Sequence, residues 1–216
     1  MAAYVRWSLG IAVAVVVGVV PVVSYRHGYN TSKRLREVTP GRVYRSGQMT
    51  EEGFADSVRR LKIRTVLNLQ DDFPDPDIRR SWPIGSSCKE SVMCRELGVR
   101  YAFIGPDLVF RKEVPQRRPE AIERFLEVMD DPESYPVLIH CKAGLHRTGV
   151  MVAIYRMEYE GWTREAAMQE VLDNGFGRHA GTEANDYIKQ YVLTYQPGFR
   201  QPEARAAQFL RDRPRP

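Results

Sequence analysis

The residues best suited to chemistry lie in one run, His140-Cys141-Lys142-Ala143-Gly144-Leu145-His146-Arg147-Thr148-Gly149, between the apolar stretch Val137-Leu138-Ile139 and a second apolar stretch. A thiol directly after an apolar strand, with an arginine six positions on, suggests a nucleophile beside an anion clamp. A short loop between a strand and a helix N-terminus can turn successive backbone N–H groups inward, and the helix dipole adds positive potential there, so a phosphate group fits. The same groups, with Arg147, favour the thiolate form of Cys141. A planar guanidinium can grip two non-bridging phosphate oxygens at once, which an ammonium cannot. Gly144 would permit the tight backbone turn and Gly149 a close approach of the following helix to the strand. Lone cysteines at strand ends are usually core residues. Cys141 with Arg147 and two glycines at these offsets reads instead as a nucleophile.

The elements that must position this run alternate in type. Arg42-Val43-Tyr44 reads as a short strand, and Thr50-Glu51-Glu52 as a capped helix start running to about Leu61. Thr65 to Leu69 has a buried-strand pattern. Asp71 to Ile84, with three prolines, reads as loop, followed by a helix from about Ser87 to Leu97 and a strand at Arg100 to Phe103. Another loop, from Gly105 to Arg118, leads to a helix with Pro119 at its first position and then to the Val137 strand. Three helices follow: Thr148 to Glu160, Thr163 to Asn174 with Thr163 as cap, and Thr182 to about Tyr195. The order predicts an α/β fold, a central mainly parallel sheet flanked by helices.

Composition sets the outer limits. The chain has 216 residues, 43% hydrophobic and 27% charged, which suits one globular domain with appendages. Three cysteines are too few for a disulfide scaffold. The net charge of +5 sits in two flanks, one from Arg26 to Arg45 and one in the Arg- and Pro-rich residues 200–216, which leaves the middle mildly acidic. A nucleic-acid partner is therefore not expected. No charge falls between Arg6 and Arg26, a run that as one helix would span about 28 Å. With Trp7 and Tyr25 at its ends and the more basic flank after it, the run predicts a single-pass transmembrane helix and a cytoplasmic catalytic part; a cleaved signal peptide is the alternative. Asn30-Thr31-Ser32 fits a glycosylation sequon, a common chance triplet. The expected organisation is an anchor or signal peptide over 1–25, a basic linker over 26–39, a catalytic domain over 40–197 and a disordered tail over 198–216.

The His-Cys, five residues, Arg-Thr pattern resembles the signature of the cysteine-dependent protein tyrosine phosphatase superfamily. A cysteine late in the chain resembles its dual-specificity branch, and Val43-Tyr44-Arg45-Ser46-Gly47-Gln48 with Val66-Leu67-Asn68-Leu69 is similar to the opening of atypical plant, fungal and bacterial members. The resemblance implies phosphate monoester hydrolysis through a phosphocysteine, without cofactor or metal. It implies Cys141 as nucleophile, Arg147 and the backbone of Lys142, Ala143, Gly144, Leu145 and His146 as the phosphate site, Thr148 as a donor to the sulfur and His140 as an orienting residue. A leaving oxygen needs a proton. The family's acid is an Asp on a loop roughly thirty residues before the cysteine, here Asp107 in Gly105-Pro106-Asp107, with Asp71 and Asp72 as alternatives. Phosphotyrosine or phosphoserine/phosphothreonine proteins are the expected substrates. Phosphoinositides or inositol polyphosphates are the alternative, because Lys142 resembles the signature of enzymes acting on them, although those commonly carry a second Lys where this chain has Leu145.

Overall fold

A computed structural model describes residues 2–79, 87–105, 118–177 and 189–199. Its main sheet contains β1 (Arg36–Thr39), β2 (Val43–Ser46), β3 (Thr65–Asn68), β6 (Arg100–Phe103) and β7 (Val137–His140), in the order β1-β2-β7-β3-β6. Strands β2, β7, β3 and β6 are parallel, and β1 adds an antiparallel edge. Between them in sequence lie α3 (Glu51–Arg60), α4 (Glu90–Glu96) and α5 (Glu120–Asp130), and after β7 come α6 (His146–Tyr159), α7 (Arg164–Asp173) and α8 (Lys189–Thr194). The expected α/β architecture is thus present. The α3 and α7 starts follow their caps: the Thr50 hydroxyl accepts from the Gly53 amide and the Thr163 hydroxyl from the Ala166 amide.

Alternation along the strands sends side chains to two cores. Val137 and Ile139 of β7 join Phe125, Leu126, Val152 and Val171 from α5, α6 and α7 on one face. Leu138 of β7 and Val66 of β3 join Phe54, Val58 and Met93 from α3 and α4 on the other. Because the parallel strands run in register, with Ser46, His140 and Asn68 level with one another, their carboxyl ends form one edge. That edge is where α/β sheets place ligands.

Three expectations change. The first is the membrane-spanning helix, and with it the single-pass membrane localisation and membrane partner: among the described residues no helix is long and apolar enough to cross a membrane. The segment divides into α1 (Ala2–Ala14), a π-helical turn at Val15–Val19 and α2 (Val20–Ser32). Each α-helix has 13 residues, or about 20 Å, short of the ~30 Å hydrocarbon layer. Moreover α2 turns polar from Arg26 and docks its last turn on α3, where the Thr50 amide donates to the Asn30 carbonyl. Secondly, part of the stretch read as linker is β1. Thirdly, the proline-rich loop contains β4 (Asp75–Arg79), paired antiparallel with β5 (Ser87–Cys88), so α4 starts three residues later than expected. Residues 182–188, read as the start of the last helix, and nearly all of the expected tail lie outside the described residues.

Candidate active site

Cys141 follows β7 directly, at the centre of the sheet's carboxyl edge, and is buried. The next four residues turn into α6. Their carbonyls are all occupied: Lys142 O accepts from the Gln48 amide at 3.1 Å, Ala143 O from Arg34 Nη1 at 2.9 Å, Gly144 O from Arg45 Nη2 at 3.0 Å and Leu145 O from the Gly149 amide at 3.0 Å. In a trans peptide the N–H points opposite to the C=O. The amides of Ala143, Gly144, Leu145 and His146 therefore face away from these partners, as the cradle requires. Gly144 has φ +70°, and a Cβ there would lie 2.5 Å from the Gly47 amide nitrogen, so both conformation and space demand glycine. Gly149 is different: an added Cβ would find Val171 at 3.5 Å, ordinary contact, and the expected close approach is not tight.

Arg147 Nη1 donates to the carbonyls of Leu69 at 2.9 Å and Gln70 at 3.4 Å. The Leu69 amide in turn donates to His140 O, which places Arg147's anchor beside the end of β7. The segment holding Arg147 is itself fixed. Asn68 Nδ2 donates to Asp71 O at 2.9 Å, while Asp72 accepts from Ser91 Oγ at 2.9 Å and Tyr101 Oη at 3.1 Å. Burial, with Glu90 and Asp72 nearby, pushes the Tyr101 phenol up, so it stays a donor. Of the alternative acids, Asp72 is thus engaged on both oxygens. Asp71 is exposed and caps the turn at Phe73. Asp107 lies outside the described residues. Gly105, two positions before it, is the last described residue after β6, a strand two places from β7, or about 10 Å across the sheet.

Beneath the loop, Glu90, Gln48 and Arg45 are groups that sequence reasoning missed. His140 Nε2 is 2.7 Å from Glu90 Oε1, both side chains 2% exposed, and Glu90 Oε2 accepts from Gln48 Nε2 at 3.0 Å. Arg45 is 4% exposed. Burial pulls its guanidinium down to about 10, against the opposing pull of Glu170 and Cys141, so it remains a cation at neutral pH. Thr148 Oγ1 is buried with no hydrogen-bond partner among the described residues. His146 sets its ring edge-on to Phe176, and burial, then Arg147, lower its pKa. Leu145 is 4% exposed, so only its backbone can serve a ligand, whereas Lys142 is exposed at the rim. Cys88, Cys94 and Cys141 form no disulfide. No metal-binding cluster of His, Cys, Asp and Glu occurs among the described residues.

Comparison with known proteins agrees with this geometry. A model of the "Tyrosine phosphatase family" matches residues 32–210, a span that takes in β1. The dual specificity protein phosphatase TpbA of Pseudomonas aeruginosa is 50% identical over 42 residues, 19% of this chain and 19% of that protein. The inositol diphosphatase SIW14 of Saccharomyces cerevisiae is 24% identical over 157 residues, 72% of this chain and 48% of that protein. The matched stretches thus span less than half of either curated relative. The solved core catalytic domain of SIW14, in complex with citrate, shares the fold with a TM-score of 0.55 at 20% identity, over 82% of this chain and 92% of that one.

Proposed function

The chain belongs to the tyrosine phosphatase family, in its atypical dual-specificity branch, and from that premise we propose that it hydrolyses phosphate monoesters through a phosphocysteine on Cys141. The observation that carries the proposal is the set of four outward carbonyls from Lys142 to Leu145, which leaves the opposite amides for phosphate oxygens. In the first step the Cys141 sulfur forms the S–P bond as the P–O bond to the leaving group breaks, and an acid protonates that oxygen. In the second, water attacks phosphorus and the sulfur leaves. Arg147 and the amides of the 142–147 loop hold the non-bridging oxygens in both steps. Thr148, whose hydroxyl has no hydrogen-bond partner among the described residues, donates to the departing sulfur, and His140, held by Glu90, orients the loop. Asp107 serves as acid and then as base. Its place in the sequence, four residues after the last residue of β6, supports this role, and Asp71 is the second choice. The catalytic domain in this reading is residues 40–197, to which β1, just before it, adds the antiparallel edge of the sheet.

Phosphorylated proteins are the proposed substrates. Leu145 is buried, so the loop offers no second lysine of the kind expected for a highly phosphorylated inositol. Similarity to an inositol diphosphatase keeps inositol phosphates as the second reading. The test is the full chain assayed against phosphotyrosine and phosphoserine peptides, phosphoinositides and inositol polyphosphates, beside Cys141→Ser. Turnover on peptides, abolished in the variant, is expected. Preference for inositol phosphates would move the substrate to the second reading, and residual turnover in Cys141→Ser would overturn the mechanism.

A further inference from the structure

The Ala143 carbonyl is turned outward by a residue that lies 109 positions earlier. Arg34 sits in the corner between α2 and β1, and the corner's backbone is unusual. Lys33 and Arg34 have φ of +23° and +60°, a left-handed pair without glycine. Such a conformation is strained for residues other than glycine and persists only where the surroundings impose it. Here the surroundings are the phosphate loop's own supports. The Lys33 carbonyl accepts from the Gly47 amide at 2.7 Å, and the Lys33 amide donates to Tyr29 O in the last turn of α2. The Arg34 guanidinium lies 5.5 Å from the Tyr29 ring centroid and reaches from there to the loop. A Cβ on Gly53 of α3 would collide with the Thr31 carbonyl, so the end of α2 is wedged against the catalytic unit. A guanidinium holding a cradle carbonyl, aimed by two left-handed residues from a helix end, is more than a surface contact.

We propose that Arg34 is a positioning residue for phosphate capture, acting through the Ala143–Gly144 peptide, and that it couples the α2–β1 corner to occupancy of the cradle. The inference rests on the phosphatase reading of the loop. With Ala143 O held outward, the Gly144 amide is held inward before any anion arrives, so less ordering is needed on binding. Coupling is reciprocal: an anion that fixes the loop must also fix the corner. Because Ala143 and Arg34 are only half-buried, water can replace the guanidinium on the carbonyl, and the expected deficit is in anion binding rather than in folding.

The experiment measures tungstate affinity by calorimetry, turnover of a simple aryl phosphate, and amide hydrogen exchange, all on the full chain. Arg34→Ala should weaken tungstate binding about tenfold and raise KM more than it lowers kcat, as expected for one charge-assisted hydrogen bond. Arg34→Lys, which keeps a donor, should recover part of the affinity. Tungstate should slow exchange at residues 29–36 in the wild type and not in Arg34→Ala. Equal tungstate affinity in Arg34→Ala and wild type, with turnover intact, would overturn the coupling and leave the phosphatase reading standing. A wild-type protein that binds no tungstate would overturn the cradle and the coupling together.

Discussion

The floor of the site and its frame are built in opposite ways. The floor, from Cys141 to Arg147, is contiguous and carries its chemistry in residue types alone. The frame comes from four distant segments: Arg34, Arg45 with Gln48, Leu69 with Gln70, and Glu90. None of the frame side chains needs to touch a substrate. The shape of the loop is thus imposed from outside, because the carbonyls of Lys142, Ala143 and Gly144 take their partners from Gln48, Arg34 and Arg45 and would not hold that arrangement against water without them.

The comparison breaks most sharply at Gly144, where floor and frame interlock. Gly144→Ala places a Cβ against Gly47 and Ser46 in a left-handed conformation. It should destabilise the protein by about 2–4 kcal/mol and remove most turnover even in the folded fraction. Denaturant unfolding with an active-site titration separates the two losses, and near-normal activity would mean that the loop keeps its shape without the frame. Asp107→Ala tests the proposed acid, which belongs to neither part. Turnover of alkyl phosphates should fall about 100-fold, and that of an activated aryl phosphate much less. Equal losses on both would shift the acid to Asp71.

Glu90→Ala tests the frame beneath the floor. It strips the partner from buried His140 and from Gln48, and should cost about 2–4 kcal/mol in thermal or urea unfolding, with Glu90→Gln nearer to wild type. A neutral outcome would make the pair an incidental contact.

The same division decides what could be read in advance. The Cys141 loop was legible because strand, turn and helix start follow one another in sequence, and Thr50 and Thr163 announced their helices through local capping. Glu90 was not legible: in the first turn of a helix it looks like an acid placed for the dipole, and its partner His140 lies 50 residues away. Arg34 fell in the stretch read as a basic linker and Arg45 in the basic flank around it, since charge in a sequence does not tell a solvated flank from a buried brace. Strand β4 was hidden by Pro76, which argues against a ladder unless the strand is an edge. The Trp7–Tyr25 run was misread for a related reason. An uncharged apolar run does not reveal where its helix will be interrupted, here by a π turn at Val15–Val19, and none of its described side chains is buried.

The smallest expected effect concerns His146, where the floor meets the first turn of α6. Its imidazole packs against Phe176 beside Arg147, and burial followed by that cation holds its pKa below the ordinary value of about 6.5. The unfolded chain therefore takes up a proton at a higher pH than the folded one. Protonation favours unfolding, so stability rises with pH through the window that ends near 6.5 and is flat above it with respect to this group. Urea midpoints measured between pH 5 and 7.5 should fall more steeply toward acid in the wild type than in His146→Gln. Parallel curves would mean that the imidazole is solvated when folded, and the start of α6 would then be looser than its contacts with Phe176 and Arg147 imply.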